Sequence, residues 1–302
     1  MNSFKHLRID SSSADRLIVD IDMQNRKLNV LDEEFFGELE RLAIELECNT
    51  TRIPVVLRSA KERGFVVGAD LRRILEVRSD EEIQRFLKFG QDVLNRWESL
   101  KQPTIAWIAG ACLGGGMELA LACRYRMVSS SADTLLGMPE SKLGLTPGWG
   151  GTQRLVRRVG VRQGLEMLFY GEPVDARQAM AIRLAEGIWD PADEMGEIAR
   201  CAATIAARSE TESVDSDNLQ FWQMEWEACA ELRRQATTPD EDALSPLCVP
   251  ARQAIEKDVR SGLFESIESG LRSERENFFA LLVRPEVQAT LQRFAKPKSN
   301  PS

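Results

Sequence analysis

Two glutamates stand 22 positions apart, each beside a glycine-rich turn: Glu118 in "GACLGGGMELALAC" (110–123) and Glu140 in "GMPESKLGLTPGWGGTQRL" (137–155). A charge inside an apolar stretch is unfavourable unless it is paired or used, and the neighbours of Glu118 are small and apolar. Two carboxylates can do general acid–base chemistry, one removing a proton and the other delivering one. If they lie close together they do not both ionise readily, so one is expected to hold its proton to a higher pH. The order of protonation is not decided at this level. The run Gly114–Gly116 just ahead of Glu118 offers a second chemical function. A strand over 103–112 ("PTIAWIAGAC") followed by a glycine turn and "MELALAC" predicts a helix opening near Gly115. The free amides of a helix start point outward and carry partial positive charge. With no side chain in the way they can approach a ligand oxygen, as in an oxyanion hole. Alone, the run reads as readily as a tight strand-to-helix turn.

Two further glycine stretches shift that balance. "ERGFVVGADLRRI" (62–74) places a Gly-Ala-Asp turn after a strand, and the segment carrying Glu140 runs into Gly148-Trp149-Gly150-Gly151. None fits a nucleotide motif: no Lys-Ser/Thr follows the triplet, and Gln153 stands where a dinucleotide fingerprint needs its last glycine. The single histidine, His6, lies in a polar N-terminal arm, which weighs against Ser-His-Asp, Cys-His and two-histidine metal chemistry. The six cysteines form no CxxC pair and read as reduced, mostly buried thiols, with no metal site.

The elements that must position these residues can be read from periodicity. Strands are expected over 15–22 and 52–60, and helices over 31–48 (Phe35, Leu39, Leu42, Ala43 and Leu46 on one face) and 79–100. Ser79 and Glu82 suit a capping box for the second helix, whose stripe is Ile83, Phe86, Leu87, Gly90, Leu94 and Trp97. Alternating strands and helices imply an α/β fold. From about residue 161 the chain reads as helical, with one helix capped by Asp175 and stopping at Gly187. The organisation expected is a core over 1–208, an acidic linker or loose helix over 209–247, and a C-terminal helical region over 248–302 with a disordered tail. A net charge of -8 argues against nucleic-acid binding. No apolar run is long enough to span a membrane, and the N-terminus has no signal-like apolar core, so a cytoplasmic location is expected.

Taken together, "GADL", "LGGGMELALAC" and "GMPESKLGLTPGWGGTQRL" resemble the enoyl-CoA hydratase/isomerase, or crotonase, family over about residues 14 to 200. The closer likeness is to the hydratase module of multifunctional fatty-acid oxidation α subunits, here without a dinucleotide-binding fingerprint after it. The resemblance implies a crotonase-like core, a CoA thioester substrate and no cofactor beyond it. It implies an oxyanion hole from the amides of Ala69 and Gly115, and Glu118 and Glu140 as the catalytic carboxylates. It also implies CoA contacts at Gly68, Asp70, Leu71 and Arg72, and a pocket shaped by Gly114, Gly148, Trp149 and Gly150. Trp149 lines the acyl pocket or packs in the core; Met117 and Leu136 read as core. The implied reaction is hydration of a trans-2-enoyl-CoA in β-oxidation, with Glu118 as base on water and Glu140 as proton donor to carbon. The alternatives are Δ3,Δ2-isomerisation or other enolate chemistry, and a non-catalytic scaffold for a hydroxyacyl-CoA dehydrogenase. A trimer or dimer of trimers is implied, with Trp222 and Trp226 serving either an interface or a local core. Arg52, Arg58, Lys61, Arg63, Arg72 and Arg73 form a candidate basic rim for CoA phosphates.

Overall fold

The computed structural model describes residues 4–62, 64–77, 79–207, 219–239 and 246–295. Arg63, positions 209–218 and 240–245 of the acidic stretch, and the tail beyond Ala295 lie outside the described residues.

A six-stranded sheet forms the base. β1 (Leu7–Asp10) pairs antiparallel with β2 (Leu17–Ile21); β3 (Val55–Ser59), β4 (Thr104–Ile108), β6 (Tyr125–Ser129) and β8 (Gly187–Trp189) then add in parallel, in the order β1-β2-β3-β4-β6-β8. Central strands such as β4 are buried along their whole length, which is why they read as continuous apolar runs. α1 (Glu33–Glu47) and α3 (Asp80–Glu98) bury the expected faces against this core. Asp32 and Ser79 cap them by accepting from the amides of Phe35 and Glu82.

Three expectations need correction. The strand foreseen over 103–112 is two strands: Gly110, at φ 65°, turns the chain out of β4 into β5 (Ala111–Leu113) of a second sheet. β5 pairs in parallel with β7 (Leu135–Gly137). The helix capped by Asp175 is α7 (Ala176–Ala181), and it ends before Gly187. Leu184 and Ala185 both donate to Ala179 O, Arg183 adopts φ 61°, and fully buried Leu184 pulls the chain back toward β8. His6 does not belong to a polar arm: it is 3% exposed, with Nδ1 accepting from Gln24 N and Nε2 facing Glu34. Its ring is thereby tied into the sheet edge.

The rest is helical apart from β8. α2 (Leu71–Glu76), α4 (Gly115–Ala122), α5 (Gly151–Val159) and α6 (Val161–Tyr170) are the next helices, α4 packing on β5 and on α5, and α5 on α6; α8 (Glu194–Ala206) follows β8. Within the acidic stretch, α9 (Leu219–Ala228) and α10 (Ala230–Thr237) pack on α6 and on α11 (Cys248–Phe264). Trp222 and Trp226 are both buried there, Trp226 edge-on to Phe264. α11 and α12 (Ile267–Leu282) form a hairpin that folds back onto α3 and α5, and α13 (Pro285–Ala295) packs on α2. α12 buries Leu271, Phe278, Leu281 and Leu282, and each side chain of this size contributes about 1.5–3 kcal/mol when fully buried.

Candidate active site

Three chain passes run side by side in parallel. Val66 bridges Cys112, and Cys112 pairs with Leu136, so residues 65–67, β5 and β7 lie in one register. Parallel strands end on the same side, and ligands gather where parallel strands end. Three residues beyond the bridged positions come Ala69, Gly115 and Pro139, the last followed by Glu140. This register explains how three stretches distant in sequence converge.

The turn from β5 into α4 depends on glycine. Gly114 has φ 54° and ψ -123°, and its amide donates to Gly137 O at 2.9 Å, locking the Glu118 segment to the Glu140 segment. Such a conformation is open to glycine and strained for other residues. Gly116 lies so near the neighbouring pass that a Cβ would sit 2.0 Å from Val66 O. α4 therefore starts flush against residues 66–69. A Cβ built on Gly115 would lie 3.5 Å from Ala69 N, so the two backbones are adjacent. Among the described residues neither the Ala69 nor the Gly115 amide donates to any group of the chain. Two neighbouring unpartnered amides border one cavity, and Gly115 adds the positive end of α4.

Glu118 and Glu140 face that same cavity of about 110 Å³. Glu118 is 1% exposed, and its Oε1 accepts from Trp149 N (2.7 Å) and Gly151 N (2.8 Å). Burial pushes its carboxyl up to about 7; the Gly151 and Trp149 amides and then the Arg154 charge oppose the rise. Glu140 opens a short 3-10 turn, Glu140–Leu143, behind Pro139, and Ser141 pins that turn by donating to Phe169 O at 2.9 Å. The Glu140 Oε2 is buried with no partner among the described residues. Burial, and then the charge of Glu118, push its carboxyl up to about 8. The pair is thus one coupled acid–base unit, with one proton held near neutrality.

The other expected residues divide. Gly68, Ala69, Leu71, Gly114, Gly115, Gly148 and Trp149 line the cavity. Gly150 does not: it caps α5, and its amide donates to Glu274. Asp70 does not line it either, because its carboxylate caps α2 through Arg72 N and pairs with Arg26. Arg72 is exposed beside a neighbouring groove. Trp149 both walls the cavity and packs edge-on against Phe36 and Phe86. Met117 and Leu136 are fully buried outside the lining.

The basic rim is largely engaged elsewhere. Arg58 pairs with Asp20 and Glu194, Lys61 with Asp22, and Arg73 with Glu33, Glu76 and Glu82. Arg72 has no carboxylate partner among the described residues. Sequence reasoning missed the apolar wall made by Ile74, Leu87, Leu143, Leu145 and, from the C-terminal hairpin, Phe278. Among the described residues no cluster of side chains suits a metal ion, and no helix is long and apolar enough to cross a membrane.

Fold and cavity together define an α/β chain of the crotonase class, with paired amides and two coupled carboxylates around one apolar-walled cavity. The sequence profile described as enoyl-CoA hydratase/isomerase matches residues 13–218, and the chain belongs to that family. It is 32% identical over 298 residues to the fatty acid oxidation complex subunit alpha of Shewanella loihica, with 95% of this chain aligned. The chain spans 40% of that relative's length. Its fold resembles the crystal structures of an enoyl-CoA hydratase from Bacillus anthracis (24% identity, TM-score 0.63, 96% of each chain) and of one from Bacillus halodurans (21% identity, TM-score 0.67, 96% of this chain and all of that one).

Proposed function

We propose that the chain hydrates trans-2-enoyl-CoA thioesters reversibly to 3-hydroxyacyl-CoA, as a step of fatty-acid oxidation. The observation that carries this reading is the meeting of two unpartnered amides, Ala69 N and Gly115 N, with two coupled carboxylates in one cavity. The thioester oxygen accepts from both amides, which stabilise the charge that develops there as the α,β double bond is attacked. Ionised Glu118 takes a proton from the water that adds to the β carbon, and protonated Glu140 delivers one to the α carbon. Glu118 suits the base role because the Trp149 and Gly151 amides stabilise its charge. Glu140 suits the acid role because its Oε2 has no donor to stabilise a charge. The relative's name supports a fatty-acid thioester as the substrate.

The reading is tested by incubating the full chain with crotonyl-CoA and following loss of the conjugated double bond. Formation of 3-hydroxybutyryl-CoA supports it. Conversion of a 3-enoyl-CoA with no hydration of crotonyl-CoA would replace it with the isomerase reading.

A pH dependence follows from the two carboxyls. Glu118 must be ionised and Glu140 protonated, and their values stand at about 7 and about 8. As pH falls below that window the base gains a proton; as it rises above, the acid loses one. A bell-shaped kcat profile with its maximum between the two is expected in a buffer series, the limbs belonging to the pair jointly. A profile flat from pH 5 to pH 10 would contradict the assignment.

Arg72, with no carboxylate partner among the described residues, offers its guanidinium to the CoA phosphates. Arg72→Ala is expected to raise KM for crotonyl-CoA by roughly twofold to fivefold with kcat unchanged, an effect that added salt erases. Equal KM at low and high ionic strength in both proteins would remove Arg72 from CoA binding.

A further inference from the structure

We propose that Glu274, on the C-terminal hairpin, is a positioning residue for Glu118: the two carboxylates hold alternate amides of residues 149–152, where the loop enters α5, and fix it between them. Trp149 N and Gly151 N donate to Glu118, while Gly150 N (2.8 Å) and Thr152 N (3.0 Å) donate to Glu274. The proposal rests on the reading of Glu118 as the base.

Glu274 is fully buried and lies outside the cavity lining, so the reaction steps leave it without a role. Four donors saturate it: Gly150 N and Gln91 Nε2 on Oε2, and Thr152 N and the Thr152 hydroxyl on Oε1. Burial, then the charges of Glu118 and Asp258, push its carboxyl well above the ordinary range, and the Thr152 and Gly150 donors oppose that rise. Positive charge reaches it indirectly, because Arg275 donates to Gln91 Oε1 and Gln91 donates onward to Glu274. Gln91 also donates to Gly148 O and Leu271 O, joining α3, the loop and α12 in one network. Backbone amides that cannot turn away point at both oxygens, Gly150 N at one and Thr152 N at the other, and so favour the ionised form against that rise; a group accepting at both oxygens is needed here. A glutamine at 274 would turn an NH2 toward one set of donors, and two donors facing each other in a dry site are unfavourable. The loop then shifts, and the two amides that orient Glu118 shift with it. The C-terminal hairpin thus acts on the reacting carboxylate through the loop, without touching substrate at this position.

The experiment uses the full chain with Glu274→Gln and with Thr152→Val, which removes one donor at nearly constant volume. Three readouts are taken: kcat on crotonyl-CoA, the Kd of unreactive butyryl-CoA, and residue-resolved exchange of the Trp149 and Gly151 amides. Glu274→Gln is expected to lower kcat by on the order of 10²-fold, since a displacement of about 1 Å at a catalytic group has that effect. Thr152→Val is expected to fall by about tenfold or less, with Kd in both variants within about twofold of the parent. The two amides exchange faster in both variants. In a Glu118→Gln background, Glu274→Gln adds no further loss, because its effect passes through Glu118. Parental kcat and parental exchange at both amides would overturn the proposal, as would the same fold-loss with or without Glu118. Should the parent fail to hydrate crotonyl-CoA, the functional reading falls, while exchange at Trp149 and Gly151 still decides whether Glu274 holds the loop.

Discussion

Glu118→Gln is expected to lower kcat for crotonyl-CoA hydration by on the order of 10³-fold, and Glu140→Gln by a similar factor, the range typical of a removed general base or acid. The fold should survive both changes. A glutamine at 118 keeps a carbonyl oxygen that can accept from Trp149 N and Gly151 N, as Glu118 Oε1 does. At 140 the affected Oε2 has no partner to lose. Each variant should therefore melt like the parent and bind butyryl-CoA as the parent does, while turnover collapses. The pair acts as a unit, so the double variant should lose little more than either single one. Near-parental kcat in either single variant would show that the carboxylate in question does not transfer a proton in the rate-determining step.

The second large effect is expected at Gly116. A methyl group there meets Val66 O at 2.0 Å, and that carbonyl already accepts from Leu113 N. Neither partner can move by a side-chain rotation, because both are backbone. Gly116→Ala must therefore push the start of α4 away from residues 66–69 and part the Gly115 and Ala69 amides. Overpacking of this kind destabilises by about 1–3 kcal/mol, and losing one oxyanion donor lowers kcat by roughly 10²–10³-fold. Thermal melting and crotonyl-CoA turnover measured together check this. A variant with parental activity would show that the two amides are not the electrophilic site.

Much of this site was legible because its constraints are local. Gly114 and Gly116 stand where only a missing side chain suffices, through a positive φ at one and a close approach at the other. α1 and α3 announced themselves by a 3.6-residue apolar period, and α3 also by its capping residue Ser79. What escaped depends on partners far along the chain. Arg58 reads as a free rim charge until β2 and β3 pair and set it directly opposite Asp20. His6 stands between Lys5 and Leu7 in a mixed segment with no clear period, and its burial comes from the first hairpin and Glu34. The split of 103–112 between two sheets follows from which strands pair with each half, not from its uniform apolar character. Glu274 and Glu276 look alike in "LRSERENFFALL". Helical phase places Glu274 on the stripe of Leu271 and Phe278, while Glu276 is exposed. That phase was the one available signal for the buried carboxylate, and only the loop 149–152 packed against it shows what it binds.

The most direct test of the central claim is the crystal structure of the chain soaked with acetoacetyl-CoA, a stable thioester that carries the oxygen to be stabilised. That oxygen is expected within about 3.1 Å of both Ala69 N and Gly115 N, with the β carbon lying between Glu118 and Glu140. A thioester oxygen bound away from those two amides, or an acyl group outside the cavity walled by Trp149 and Phe278, would contradict it.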